Sequence, residues 1–234
     1  MGDIPFLVKF GDFGVNAGGK NLLSANEVAA YQIAGEMNLS HAEYSPVRIA
    51  GTEGIVCITP CFIHNANEEF VTAHQIAEEY KLDGKGLYRF FADADMKQEV
   101  NRMIVFDHLI HNTDRHEKNF GIIRDSDTME IHRFAPLFDS GSFFGWNYSL
   151  NTVDMGDTKP FGRNRMEQLR MADITGITIP EEQRVINILR DTYENFQFPE
   201  QNFQIAAEDV RRSYGMLKEL EQEGEQERKE DWER

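Results

Sequence analysis

The apolar pattern of this 234-residue chain changes character once, near Asn65. Before that point the runs are short and rich in β-formers: IPFLVKF, then SPVRIA and GIVCITPCFI around the turn GTEG. One helical stretch interrupts them. It follows the glycine-rich loop GDFGVNAGGKN. Ser24 and Glu27 form S-x-x-E ahead of Val28, Ile33 and Met37, which predicts a capping box and a helix ending near Asn38. After Asn65 the spacing is helical. A short helix is expected over 70–80. Another is expected over 95–110, with Met96, Val100, Met103, Ile104 and Ile110 on one face. Further helices are expected near 163–173, over 181–195 with Pro180 in the first turn, and over 203–221. Two features break this run: the polar stretch NTDRHEKN, and a hairpin in which GIIR and MEIHRF flank DSDT and lead into APLFDSG. No internal repeat is present. The pattern predicts an α+β chain with a small β-rich part, residues 1–62, ahead of a larger and mostly helical part, residues 63–234.

Composition narrows the function. At 41 % hydrophobic and 11 % aromatic the chain can bury a core. Its net charge of −16 argues against direct nucleic-acid binding, which leads with a basic face. Eight acids and three bases lie between Glu219 and Arg234, as expected for a solvated helix end or a frayed tail. Cys57 and Cys61 have no second pair to complete a zinc site and read as two buried thiols in a reducing compartment. There is no signal-peptide pattern and no apolar window of membrane-spanning length. The expectation is a cytoplasmic protein without a membrane partner.

GVNAGGKN looks at first like a phosphate-cradling P-loop. It has Asn21 where that loop needs a magnesium-binding hydroxyl, and the predicted helix starts too late to cradle a phosphate. MIVFD, ending at Asp107, imitates a Walker B strand but has helical surroundings. His111, Asp114, His116 and Asp139 offer metal ligands, but the two histidines are five apart in a loop rather than four apart on a helix. A more specific constellation is D-R-H-E-K-N. Asp114 precedes Asn119 by five residues, and Asp139 follows twenty later in D-S-G after a hairpin. Phosphoryl transfer needs these parts: one carboxylate to accept the proton of the attacking hydroxyl, and an amide oxygen with a second carboxylate to hold Mg²⁺. Upstream, Lys9 ends a strand and Glu27 lies on the next helix, in the order of a kinase lysine and its ion-pair partner.

The segments N-T-D-R-H-E-K-N-F-G and A-P-L-F-D-S-G resemble the HipA-like serine/threonine kinases. D-R-H-x-x-N also resembles the catalytic loop of the phosphatidylinositol 3/4-kinases, their structural relatives. The flanking residues favour the HipA branch, and the resemblance spans roughly residues 6–145. It implies a two-lobed protein-kinase-like fold, with a truncated β-rich N-lobe and a mostly α-helical C-lobe. It implies ATP and Mg²⁺, and transfer of the γ-phosphoryl to a Ser or Thr hydroxyl of a protein substrate. In the toxin members a partner protein, an antitoxin, neutralises the kinase. Carried to this chain, Asp114 is the catalytic base and Asn119 and Asp139 hold the metal. Lys9 contacts ATP and pairs with Glu27. Thr59, Cys61 and Phe62 border the adenine hinge, and His116 and Lys118 lie on the nucleotide side of the catalytic loop.

One departure stands out. In the family a phosphate-covering loop precedes the lysine strand, and here only eight residues precede Lys9. Three readings follow: a fragment of a longer product, a small lobe completed by a separate polypeptide, or a degenerate kinase acting as an interaction protein. GVNAGGKN becomes the connection between the lysine strand and the glutamate helix. D-R-H-x-x-N alone leaves a lipid kinase open. The lack of a basic amphipathic stretch favours a protein substrate. Arg163 and Arg165 read as a solvated loop or a substrate contact, and SFFGW, residues 142–146, as packing beneath an activation-type loop.

Overall fold

The computed structural model describes residues 5–9, 22–50, 54–112, 114–142, 160–161 and 164–232, the last nine by backbone alone. GVNAGGKN, Phe143 to Trp146, Arg163 and the first three residues of GTEG lie outside the described residues.

Among the described residues, three strands form the first sheet. β1 (Phe6–Lys9) and β2 (Ser45–Val47) both pair antiparallel with β3 (Val56–Pro60), in the order β1-β3-β2. The register sets Lys9 opposite Cys57. Helix α1 (Leu22–Glu36) packs against β3 and β2. It starts two residues earlier than the capping box predicts. Ser24 and Glu27 therefore lie within its first turns and are both buried. Ser24 Oγ donates to the Lys9 carbonyl at 3.2 Å, so these two polar residues serve a tertiary contact rather than a cap. Asn38 sits at φ 52°, in the left-handed region Asn tolerates, and ends the helical path where expected.

The second sheet has the order β4-β5-β6, formed by β4 (Glu68–Thr72), β5 (Gly121–Asp125) and β6 (Ile131–Phe134). The hairpin β5–β6 follows the sequence reading. Asp125 closes its turn by accepting from the amides of Asp127 and Thr128. Strand β4 does not follow it: EEFVT lies at the edge of the expected helix, and pairing with β5 draws it out as a strand. Thr72 then ends β4 and caps α2 (Ala73–Tyr80) with a true capping box, its partner being Gln75. Helix α3 (Gly84–Asp93) was also absent from the sequence reading. Asp83 caps it through the Gly86 amide, and it buries Leu87 and Phe91.

Helix α4 (Lys97–Leu109) is the centre of the helical part. The expected single apolar face is incomplete, because every residue from Val100 to Leu109 except Arg102 is buried. Helices α3, α5 (Arg165–Met171) and α7 (Glu200–Trp232) pack around it, so its polar residues Asn101, Asp107 and His108 must find partners inside. Helix α6 (Glu182–Asn195) bridges α1 and α7. Helix α7 runs eleven residues past the predicted Glu221, so the acidic C-terminal segment is a continuous helix to Trp232.

Gly121 sits where β5 meets Thr72, and a Cβ there would lie 2.1 Å from the Val71 carbonyl oxygen. Gly121→Ala is expected to destabilise the fold by about 3 kcal/mol or more, since backbone must move. Gly35→Ala, on the exposed side of α1 with nothing within 4 Å, should instead stabilise by up to about 1 kcal/mol. Urea unfolding of both variants checks the pair.

Candidate active site

Three elements converge on one ammonium group. β1 delivers Lys9, α1 delivers Glu27, and the turn after β6 delivers Asp139. Lys9 Nζ forms ion pairs with both Glu27 Oε1 and Asp139 Oδ1. Burial disfavours the lysine charge, but Glu27 and Asp139 outweigh it and hold the Lys9 pKa above its usual value. Burial pushes the Glu27 carboxyl upward, opposed by Lys9 and the Ser140 amide. Burial also works against the Asp139 charge. There Lys9 first, then Arg115 and His116, bring the carboxyl below its usual range.

The turn that carries Asp139 is held from several sides. Asp139 adopts φ 54° and its amide donates to Tyr44 Oη at 3.5 Å. The Ser140 amide donates to Glu27 Oε2 at 3.0 Å. Asn26 Nδ2 donates to the Gly141 carbonyl at 2.9 Å, while its Oδ1 accepts from Tyr193 of α6. A Cβ on Gly141 would come within 2.9 Å of the Leu23 carbonyl oxygen, so α1 approaches this turn closely only because a glycine stands there.

The loop after α4 carries Asp114 and Asn119. Between them is Arg115, which has no exposed surface. Its Nε and Nη2 donate to the two carboxylate oxygens of Asp107, each at 3.0 Å. Nη1 donates to the Phe138 carbonyl at 2.6 Å and the Asn119 carbonyl at 3.3 Å, and Nη2 donates to Ser140 Oγ at 2.7 Å. The guanidinium thus ties the 114–119 loop to the 138–140 turn. The result places Asn119 Nδ2 3.0 Å from Asp139 Oδ2. Rotation of that amide presents its oxygen beside an ionised carboxylate, a hard-oxygen pair that fits a small divalent cation such as Mg²⁺.

The other predicted residues lie around this centre. Asp114 is partly exposed, and its amide donates to Asn112 Oδ1. The His116 amide donates to the Asp114 carbonyl at 2.7 Å, and His116 Nδ1 accepts from the Lys118 amide. His116 and exposed Lys118 line a surface groove with His74, Glu117 and Pro160. Thr59 is buried on β3. The Cys61 amide donates to the Pro5 carbonyl. Phe62 packs on Phe70 and on Phe138, the residue before Asp139. Cys57 is buried as expected, but Cys61 is partly exposed because it follows the end of β3.

The reading of Arg165 changes. Arg165 is not solvated: it is 5 % exposed and donates to the His108 carbonyl and Ser213 Oγ. His111 pairs with Asp209 of α7 at 3.3 Å. Among the described residues no three His, Cys, Asp or Glu side chains gather as a metal cluster. Asp107 is the carboxylate partner of Arg115, on a helix rather than a Walker-type strand. Sequence reasoning assigned no role to Arg115, Asn26, Tyr44 or His41. The arginine inside D-R-H-E-K-N was the one available signal; the others stand outside any recognisable motif.

Comparison with known proteins bears on this geometry. A family model described as HipA-like C-terminal domain matches residues 2–198. The structure is similar to the proinflammatory kinase CtkA of Helicobacter pylori, with a TM-score of 0.64 and 17 % identity, over 90 % of this chain and 86 % of that one. It is also similar to the Shewanella oneidensis MR-1 toxin–antitoxin complex of HipA, HipB and operator DNA, with a TM-score of 0.60 and 13 % identity. That match covers 92 % of this chain and 60 % of the other. Curated protein sequences gave no match.

A buried histidine on α4 resists protonation. His108, 4 % exposed, is held down to about 3 by burial, with Arg165 adding to the effect and the Ser213 carbonyl opposing it. The unfolded chain then binds a proton near pH 6.5 that the folded chain refuses, so stability falls as pH drops from about 6.5 toward 3. His108 alone should give a slope approaching roughly 1.4 kcal/mol per pH unit in that window. Urea unfolding at stepped pH should show the slope, and His108→Gln should reduce it. An unchanged slope in the variant would contradict the assignment.

Proposed function

Because the chain belongs to the HipA-like C-terminal domain family, we propose that it is an ATP- and Mg²⁺-dependent kinase that phosphorylates a Ser or Thr hydroxyl of a protein. The carrying observation is the convergence of Lys9, Glu27, Asn119 and Asp139, which are 130 residues apart at the extremes yet bonded in one network. An ion pair between a strand lysine and a helix glutamate, next to a carboxylate and an amide, is the set of parts phosphoryl transfer uses.

Each residue then has a task. Lys9, oriented by Glu27, offers its ammonium to the nucleotide phosphates. Asn119 and Asp139 would hold Mg²⁺, which would supply charge neutralisation for the transferred phosphoryl group. Asp114 stands on the same loop, and it orients the acceptor hydroxyl and takes its proton. Thr59, Cys61 and Phe62 border the adenine, with Phe62 seated on Phe138. His116 and Lys118 face the transferred group from the groove they line. Residues 1–62 form the small lobe in this reading, and 63–234 the large one. A toxin-type role fits the family. The Shewanella relative was solved with HipB, and a neutralising partner protein is proposed here on that basis. Among the described residues no helix is long and apolar enough to cross a membrane.

Purified protein with Mg²⁺ and γ-labelled ATP is expected to transfer label to protein, recovered as phosphoserine or phosphothreonine. Asp114→Ala should lower the rate by about 10²–10⁴-fold with the fold intact, and Lys9→Met should weaken it further through nucleotide contact. Equal labelling by wild type and Asp114→Ala would overturn the assignment, and label recovered only in lipid would overturn the substrate class.

A further inference from the structure

Ser140 is fully buried, and its hydroxyl has two close neighbours. Arg115 Nη2 lies 2.7 Å from Oγ on one side, and His41 Nε2 lies 3.0 Å away on the other. A guanidinium only donates, so Ser140 Oγ accepts from Arg115 and its single proton goes to His41 Nε2. That ring nitrogen must then be bare. The ring proton sits on Nδ1, which donates to the Ala42 carbonyl at 2.8 Å. One placement of protons satisfies every group. The chain runs in one direction from Arg115, whose charge Asp107 balances, through Ser140 and His41 to the Ala42 carbonyl.

His41 is itself well fixed. The Ala42 amide donates to the Leu137 carbonyl at 2.7 Å, and the Leu137 amide donates to the Ser40 carbonyl at 2.9 Å. The ring meets Tyr44 and Phe106 edge-on, with centroids 5.9 and 5.8 Å apart. Burial holds the ring neutral, down to about 3, with Arg115 and Lys9 adding to the effect against the Ala42 carbonyl. It lies in the connection between α1 and β2, far in sequence from the catalytic loop.

We infer that His41 is a positioning residue: by accepting the Ser140 proton it fixes the hydroxyl that Arg115 grips, and so holds the 139–141 turn against the 114–119 loop. The inference rests on the reading of Asp139 as a metal-binding carboxylate. Without the ring acceptor, Ser140 Oγ has no buried partner for its proton and the Arg115 contact loses its fixed orientation. Asp139, held at φ 54°, then loses one of the restraints on its position. The Ser140 amide still donates to Glu27 Oε2, and Lys9 keeps its pair with Glu27. The loss should therefore fall on kcat rather than on the KM for ATP.

The ring nitrogens of ¹⁵N-labelled wild type at pH 7 should show Nδ1 protonated and Nε2 bare, and the opposite tautomer overturns the inference. His41→Leu removes the acceptor, whereas His41→Gln supplies an amide oxygen in its place. In His41→Leu the Ser140 and Gly141 amides should exchange faster, and kcat should fall about tenfold with KM for ATP within about twofold. His41→Gln should recover both. Ser140→Ala added to His41→Leu should cost little more than either alone. Unchanged amide exchange in His41→Leu, or fully additive losses in the double variant, would overturn the inference. The tautomer and exchange readings need no nucleotide. If wild type transfers no phosphoryl group, the kinase reading fails while these two measurements still decide the role of His41 at the turn.

Discussion

The buried guanidinium of Arg115 is the contact on which the arrangement depends. A charge with no exposed surface is tolerated only where its donors are used, and Arg115 uses Nε, Nη1 and Nη2 on Asp107, Asn119, Phe138 and Ser140. Those partners belong to α4, the 114–119 loop and the 138–140 turn. Breaking such a buried pair from one side generally costs about 3–5 kcal/mol, because the remaining charge is stranded. The fold therefore cannot separate the loop from the turn cheaply. That constraint keeps Asn119 within hydrogen-bond distance of Asp139.

The second constraint acts from the opposite side. Helix α1 reaches the turn with two adjacent buried residues, Asn26 and Glu27, bonded to Gly141 and Ser140. It is also tied to α6 by Asn26–Tyr193 and, at the surface, by Glu36–Arg184 at 2.7 Å. The glutamate that orients Lys9 is thus anchored to the helical part as well as to the sheet. For the proposed phosphoryl transfer, such geometry is preorganised: the charges are held in place before the reaction begins.

Much of this was legible in the sequence because it is local. The spacing singled out Asp114, Asn119 and Asp139, the strand–helix order singled out Lys9 and Glu27, and four of these five, Asp114 excepted, are bonded in one network. What escaped was decided by tertiary partners. EEFVT has no strong preference of its own and becomes β4 because β5 offers an open edge. Ser24 and Glu27 imitate a cap, yet both side chains turn inward to Lys9 and Ser140. The one-faced pattern expected of α4 failed because three helices surround it, which converts Asp107 and His108 from surface residues into buried ones. Arg165 looked like loop and is interior for the same reason. His41 carried no signal at all, since its meaning comes from a serine 99 residues away.

Under the proposed function, Lys9, Asn119 and Asp139 together form a metal-assisted nucleotide site. Calorimetric titration with a non-hydrolysable ATP analogue, with and without Mg²⁺, tests it most directly. Mg²⁺-dependent binding is expected in wild type, with loss of that dependence in Asp139→Asn and loss of binding in Lys9→Met. Binding that ignores both substitutions, with the fold intact, would contradict it.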